Sequence, residues 1–192
     1  MKTIRVLLAL LVLGAAAWAQ TEDLGMGAFA NEKGGIKLAV DAALVNQDIK
    51  SPYVMFVVYM AAGKENQEVV VGREGVVMLY NGKEYKMPSL SELRKNYRGE
   101  IRDVTFYRHL GKEGIISSWM RLYDFPQRAD FFPPLTLNAP VKADAGSMLN
   151  FVGFRTKCYF KNPGFNKGDK LVIQVTAKNK PELSGQVEVT LK

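Results

Sequence analysis

Few residues in this chain have the chemistry of a catalyst. Its 192 residues include one histidine, His109, and one cysteine, Cys158. A zinc site of the usual kind draws its ligands largely from those two types, so none can be assembled. Calcium needs clustered oxygen ligands, and no Asp-x-Asp-x-Asp-Gly run occurs. Asp124 and Asp130 stand six apart and are read as turn caps rather than as a weak cation site.

A hydrolytic triad would have to pair His109 with Ser117 or Ser118, yet no Gly-x-Ser-x-Gly elbow surrounds either serine. His109 is therefore read as a surface side chain. Cys158 alternates with Phe154 and Phe160, which points it into a core as a small hydrophobe. Gly72-Arg73-Glu74-Gly75 and Gly111-Lys112-Glu113-Gly114 lack the pattern and the strand-to-helix context of a phosphate loop. No spacing nominates a pair of acids for glycoside hydrolysis, although two acids can meet from anywhere in a fold. The expectation is a protein without catalysis, cofactor or metal.

The chain opens with a different kind of signal. Lys2 and Arg5 precede the apolar run VLLALLVLGAAA, and Ala17-Trp18-Ala19 offers the small-x-small pattern that signal peptidase cuts. Residues 1–19 read as a secretory signal peptide, with a periplasmic or secreted destination in a bacterium. No Asn-x-Ser/Thr acceptor occurs, and a lone cysteine permits no internal disulfide, so the core must hold the exported chain together. From Gln20 onward there are 24 basic against 19 acidic residues, a net charge of +5. That favours an acidic partner or an anionic envelope polymer but does not nominate nucleic acid. No later stretch is long and apolar enough to span a membrane as a helix.

The elements that must position any site are mostly strands. Residues 20–35 are Gly- and Ala-rich without periodicity and read as a flexible lead-in to a domain over 36–192. Alternating or continuous apolar stretches at 36–45, 53–62, 68–71, 76–80, 101–110, 118–125, 147–160, 170–177 and 185–192 read as strands. Asn81-Gly82 predicts a two-residue hairpin turn. One helix is expected over 89–98: Ser89 and Glu92 have capping-box spacing, and Leu90, Leu93 and Tyr97 form a narrow apolar stripe.

Together these predict an all-β fold, a single antiparallel β-sandwich of immunoglobulin-like type with one short crossover helix; a closed calycin-like barrel is the second choice. The closing stretch "KGDKLVIQVTAKNKPELSGQVEVTLK" resembles the last hairpin of bacterial immunoglobulin-like domains in pattern, and that resemblance transfers no functional residue.

Two surfaces are candidates for contact. In "YDFPQRADFFPPLTLNAP", prolines pre-order a loop on which Phe125, Phe131 and Phe132 are presented to a partner or fold back over the core. Strict alternation places Arg155, Lys157, Tyr159 and Lys161 on one face of their strand, opposite Phe154, Cys158 and Phe160. If that face meets Arg98 and Arg102, a basic, tyrosine-bearing surface results; an ordinary solvated face is the plainer reading. The function expected is an exported non-enzymatic binding domain docking on an envelope protein or an anionic polymer. The alternative is a small-molecule or carbohydrate binder with an aromatic-lined pocket near Tyr107, Trp119 and Tyr123.

Overall fold

The computed structural model describes residues 21–64, 67–108, 116, 120–122, 130–133 and 144–192. The fold is mostly β-strand with few helices, as an all-β protein requires. The expected signal peptide over 1–19 lies outside the described residues, as do His109, Ser117, Ser118, Trp119, Tyr123, Asp124 and Phe125. Among the described residues, no helix is long and apolar enough to cross a membrane.

In chain order, β1 (Glu22–Gly25), β2 (Ala28–Asn31) and β3 (Ile36–Asp41) lead into the short helix α1 (Ala43–Gln47) and the fully buried β4 (Tyr53–Ala62). β5 (Val69–Gly72) passes through a 3-10 turn at Arg73–Gly75 into the hairpin of β6 (Val76–Tyr80) and β7 (Lys83–Lys86). Helices α2 (Leu90–Asn96) and α3 (Glu100–Arg108) follow. After them come β8 (Arg121–Leu122), β9 (Ala145–Met148), β10 (Val152–Lys161), β11 (Lys170–Thr176) and β12 (Ser184–Thr190).

The strands form a six-stranded sheet, β1-β2-β3-β4-β10-β8, a four-stranded sheet, β12-β11-β6-β7, and the pair β5-β9. Every pairing is antiparallel except β8 with β10. Apolar side chains from all three sheets join one cluster, to which Ile36, Leu38, Phe56, Met78, Phe160, Ile173 and Val189 belong. β12 lies beside the β2–β3 hairpin, where Asn31 Nδ2 donates to the Gln186 carbonyl at 2.9 Å.

Four local readings of the sequence need correction. Residues 22–31 are no flexible lead-in: β1 and β2 form a hairpin around Met26 and Gly27, both at positive φ, and Thr21 Oγ1 accepts the Glu188 N–H at 2.9 Å. Strand β3 stops at Asp41 because its Oδ1 accepts the Ala43 N–H at 2.8 Å and turns the chain into α1. The stretch 147–160 divides between β9 and β10 at a tight turn with Asn150 and Phe151 both at positive φ.

The fourth correction bears on function. Residues 101–108, expected as strand, belong to α3. Val104, Thr105, Phe106 and Tyr107 favour strands intrinsically, but packing overrides that preference. Asp103 and Tyr107, one turn apart, turn inward, while Ile101 is 84% exposed. Glu100 and Asp103 in the first turn suit the positive end of the helix.

The Asn81-Gly82 turn forms as expected, with φ of 49° and 71°. So does the helix cap, where Ser89 Oγ accepts the Glu92 N–H at 3.0 Å. The helix is shorter than its apolar stripe, ending at Asn96, yet the stripe faces inward: Leu93 and Tyr97 are buried and Leu90 is half-buried.

Candidate functional site

β10 positions most of the residues singled out in the sequence, and its alternation holds. Phe154, Cys158 and Phe160 point to one face. Arg155, Lys157, Tyr159 and Lys161 point to the other, but that face is covered rather than solvated. Tyr159 meets Tyr97 of the α2 end at 6.0 Å between ring centroids and Phe132 at 4.9 Å. A period-2 pattern tells which residues share a face and not what lies over it.

Lys157 is accordingly only 1% exposed. Its Nζ pairs with Asp130 Oδ2 at 2.8 Å and lies 4.5 Å from the centre of the Tyr107 ring. Arg155, half-buried, lies 4.7 Å from the same ring, and its carbonyl accepts from the Tyr107 hydroxyl at 3.3 Å. Asp130 Oδ1 also accepts the Phe132 N–H at 3.2 Å, so this aspartate caps a turn and neutralises a buried lysine at once.

Phe131 and Phe132 are buried as well, which ends their reading as an exposed contact loop. Phe131 packs edge-on against Phe154, and its N–H donates to Thr156 Oγ1 at 3.2 Å. Residues 130–133 thus close over β10. Cys158 is wholly buried opposite Phe56, and loss of solvent pushes its thiol pKa up.

A second buried polar cluster fixes the elbow between α2 and α3. The Tyr97 hydroxyl donates to Asp103 Oδ2 at 2.8 Å, and Arg102 Nε and Nη2 donate to Asp103 Oδ1 at 3.1 and 3.0 Å. Arg102 Nη1 reaches Asp48 Oδ2 at 2.6 Å, tying the elbow to the end of α1. Burial raises the Asp103 pKa, although Tyr97 and Arg102 pull the other way; Tyr97 is pushed up to about 12, by burial first and then by the Asp103 charge. Arg102 is 46% exposed at its side chain; Nε and Nη2 face the buried Asp103 and Tyr97, and Nη1 faces the partly exposed Asp48.

The remaining basic candidates are at the surface. Arg98 and Lys161 are exposed, as is Lys95 in the last turn of α2. The Tyr97–Tyr159 contact sets the end of α2, next to Arg98, beside β10, which carries Lys161. Arg102 is exposed as well, but its donors are engaged by Asp48, Tyr97 and Asp103.

The outer face of the four-stranded sheet offers a different surface. A shallow cleft of about 420 Å³ there is lined by Tyr80, Lys170, Gln174, Gln186 and Glu188, with Val172 on its floor. Lys170 and Glu188 pair across the strands at 2.8 Å, and the Tyr80 hydroxyl donates to Asp169 at 2.7 Å. That hydrogen bond, with one from the Asn166 N–H, lowers the Asp169 pKa.

Asp48 and Asp103 organise these clusters and carried no role in the sequence, where Asp130 reads only as a turn cap. The spacing of Asp103 and Tyr107 was the available signal, hidden once 101–110 read as strand. Compared with protein-family models, with curated proteins and with solved structures, the chain matches none.

Proposed function

We propose that this chain is an exported, non-enzymatic binding domain of a bacterial envelope, which docks on another protein or an anionic envelope polymer through the basic rim at the α2 end and β10. The observation that carries this reading is the Tyr97–Tyr159 contact, which sets the end of α2, with exposed Lys95 and Arg98, beside β10, with exposed Lys161, on a chain of net positive charge. The fold that presents them is read as an immunoglobulin-like sandwich. Support comes from one apolar cluster shared between antiparallel sheets, with the β11–β12 hairpin where the sequence pattern expects it.

The triple variant Lys95→Glu, Arg98→Glu, Lys161→Glu tests the reading by co-sedimentation with the native envelope fraction. Wild-type binding should fall steeply with added salt, and the variant should bind weakly even at low salt. Undiminished binding of the folded variant refutes the rim.

The cleft on the outer sheet face favours a second reading, a carbohydrate or small-molecule binder. It has a tyrosine, two amides and an ion pair along its lining, groups suited to hydroxyl-rich ligands. Gln174→Ala with Gln186→Ala should then abolish retention on an immobilised envelope glycan while sparing the salt-sensitive binding above.

A further inference from the structure

Arg73 has an arrangement that neither the rim nor the outer sheet face explains. It begins the 3-10 turn after β5, and its own N–H donates to the Asp144 carbonyl at 2.8 Å. Its Nη2 donates to the Pro88 carbonyl, and its guanidinium lies 4.4 Å from the centre of the Phe132 ring. Its Nε is buried without a hydrogen-bond partner. Among the described residues, no carboxylate lies within 4 Å of the guanidinium. The cation is in contact with a carbonyl and a ring, and the Asp144 charge acts on it only from beyond 4 Å.

The turn that carries it is firmly seated. A Cβ added at Gly75 would lie 2.4 Å from the Thr176 carbonyl oxygen, so only glycine lets the turn press this closely on β11. Burial lowers the Arg73 pKa, and the Asp144 charge opposes that effect. Removing a guanidinium from water without an ion-pair partner is unfavourable, and an oxyanion is the group that its planar donors fit.

Arg73 lines a cleft of about 390 Å³ together with Glu74, Val76, Lys86, Met87 and Asp144. That volume is at the small end of the ~300–1,000 Å³ typical of small-molecule sites. Met87 gives it apolar lining, Val76 beneath being 1% exposed, and Lys86 adds a second, largely exposed cation. The two acids set the charge that the cleft accepts. Glu74 pairs with Lys178 at 3.7 Å and remains mostly exposed, and with Asp144 it repels a dianion more strongly than a monoanion.

We propose that this cleft binds a small aliphatic molecule through a single carboxylate group, with Arg73 as its counter-charge and Met87 against its apolar part. The ligand class is a short-chain monocarboxylate, with phosphate disfavoured by the two acids.

The test is amide-resolved NMR of the full chain lacking residues 1–19, titrated with butyrate and, at matched ionic strength and neutral pH, with inorganic phosphate and with butylamine. Butyrate should give saturable shifts of the Arg73, Glu74 and Met87 amides, and phosphate and butylamine should not. Arg73→Gln should abolish the shifts, and Lys86→Gln should weaken binding by less than about tenfold. Met87→Trp fills the cleft without removing the guanidinium and should also abolish them, which decides the matter if Arg73→Gln fails to fold. No saturable shift with butyrate, tighter binding of phosphate at the same amides, or butyrate binding undiminished in Met87→Trp each overturns the proposal. The rim variants of Lys95, Arg98 and Lys161 should leave butyrate binding unchanged, so the two proposals fail separately.

Discussion

The Tyr97 hydroxyl donates a 2.8 Å hydrogen bond to a fully buried Asp103, joining the end of α2 to α3. The same carboxylate accepts two bonds from Arg102, whose Nη1 reaches Asp48 and whose Nη2 also donates to the Tyr97 hydroxyl at 2.9 Å. Three helical elements are thus fastened through one carboxyl group that has left water.

Burial sets the pH dependence of that fastening. A carboxyl whose folded pKa lies above its unfolded value, here 3.8, holds its proton more tightly in the folded chain. Its stabilising contribution is present in acid and is lost as pH rises through the folded value. Asp103→Asn cannot titrate and lacks that loss. The melting temperature of Asp103→Asn minus that of the wild type should therefore increase from about pH 4 to about pH 7. A flat or falling difference would mean that Arg102 and Tyr97 outweigh burial.

The Lys157–Asp130 pair should behave as a unit. Lys157→Met leaves a buried carboxylate without its cation and should cost about 3–5 kcal/mol by urea denaturation. Adding Asp130→Asn removes the orphaned charge while keeping an acceptor for the Phe132 N–H, so most of that loss should return. Additive losses in the double variant would show that the two side chains do not depend on each other.

Leu93 carries the apolar contact of α2. It is 2% exposed, and Leu93→Ala should destabilise the chain by about 2–4 kcal/mol in the same assay. A loss below about 0.5 kcal/mol, the range of ordinary surface substitutions, would show that α2 does not cover the sheet in solution.

At the start of β10, Gly153 lies so close to β4 that an added Cβ would meet the Met60 carbonyl oxygen at 1.8 Å. Backbone cannot yield there as a flexible side chain can. Gly153→Ala should cost about 3 kcal/mol or more, read from the shift of the urea midpoint at constant slope. A wild-type midpoint would refute this close approach.

Where local chemistry decided the structure, the sequence was readable. Asn81-Gly82 and Ser89 act through neighbours within a few residues, and the β11–β12 hairpin follows from clean alternation. Where distant packing decided it, the sequence was not. Val104 to Tyr107 favour a strand until Asp103 and Tyr107 find buried places on one side of a helix. Lys157 and Tyr159 look solvated until residues 130–133 and α2 close over them. The turn at Asn150 and Phe151 escaped notice because phenylalanine is a rare occupant of positive φ. Arg73 sits in what the sequence shows only as a break between two strands. No pattern marks it, because its neighbours come from Pro88, Phe132 and Asp144.

Cys158 gives the molecule an internal clock. Its thiol, on β10 beside Phe56 of β4, is wholly buried, and a reagent cannot reach it while the core packed over it stays closed. In an oxidising compartment the same burial keeps a lone sulfur from cross-linking one chain to the next. Labelling with a thiol reagent must wait for the packing over β10 to open. When reclosing is faster than labelling, the rate reports how often the core over β10 opens; with excess reagent it reports how fast.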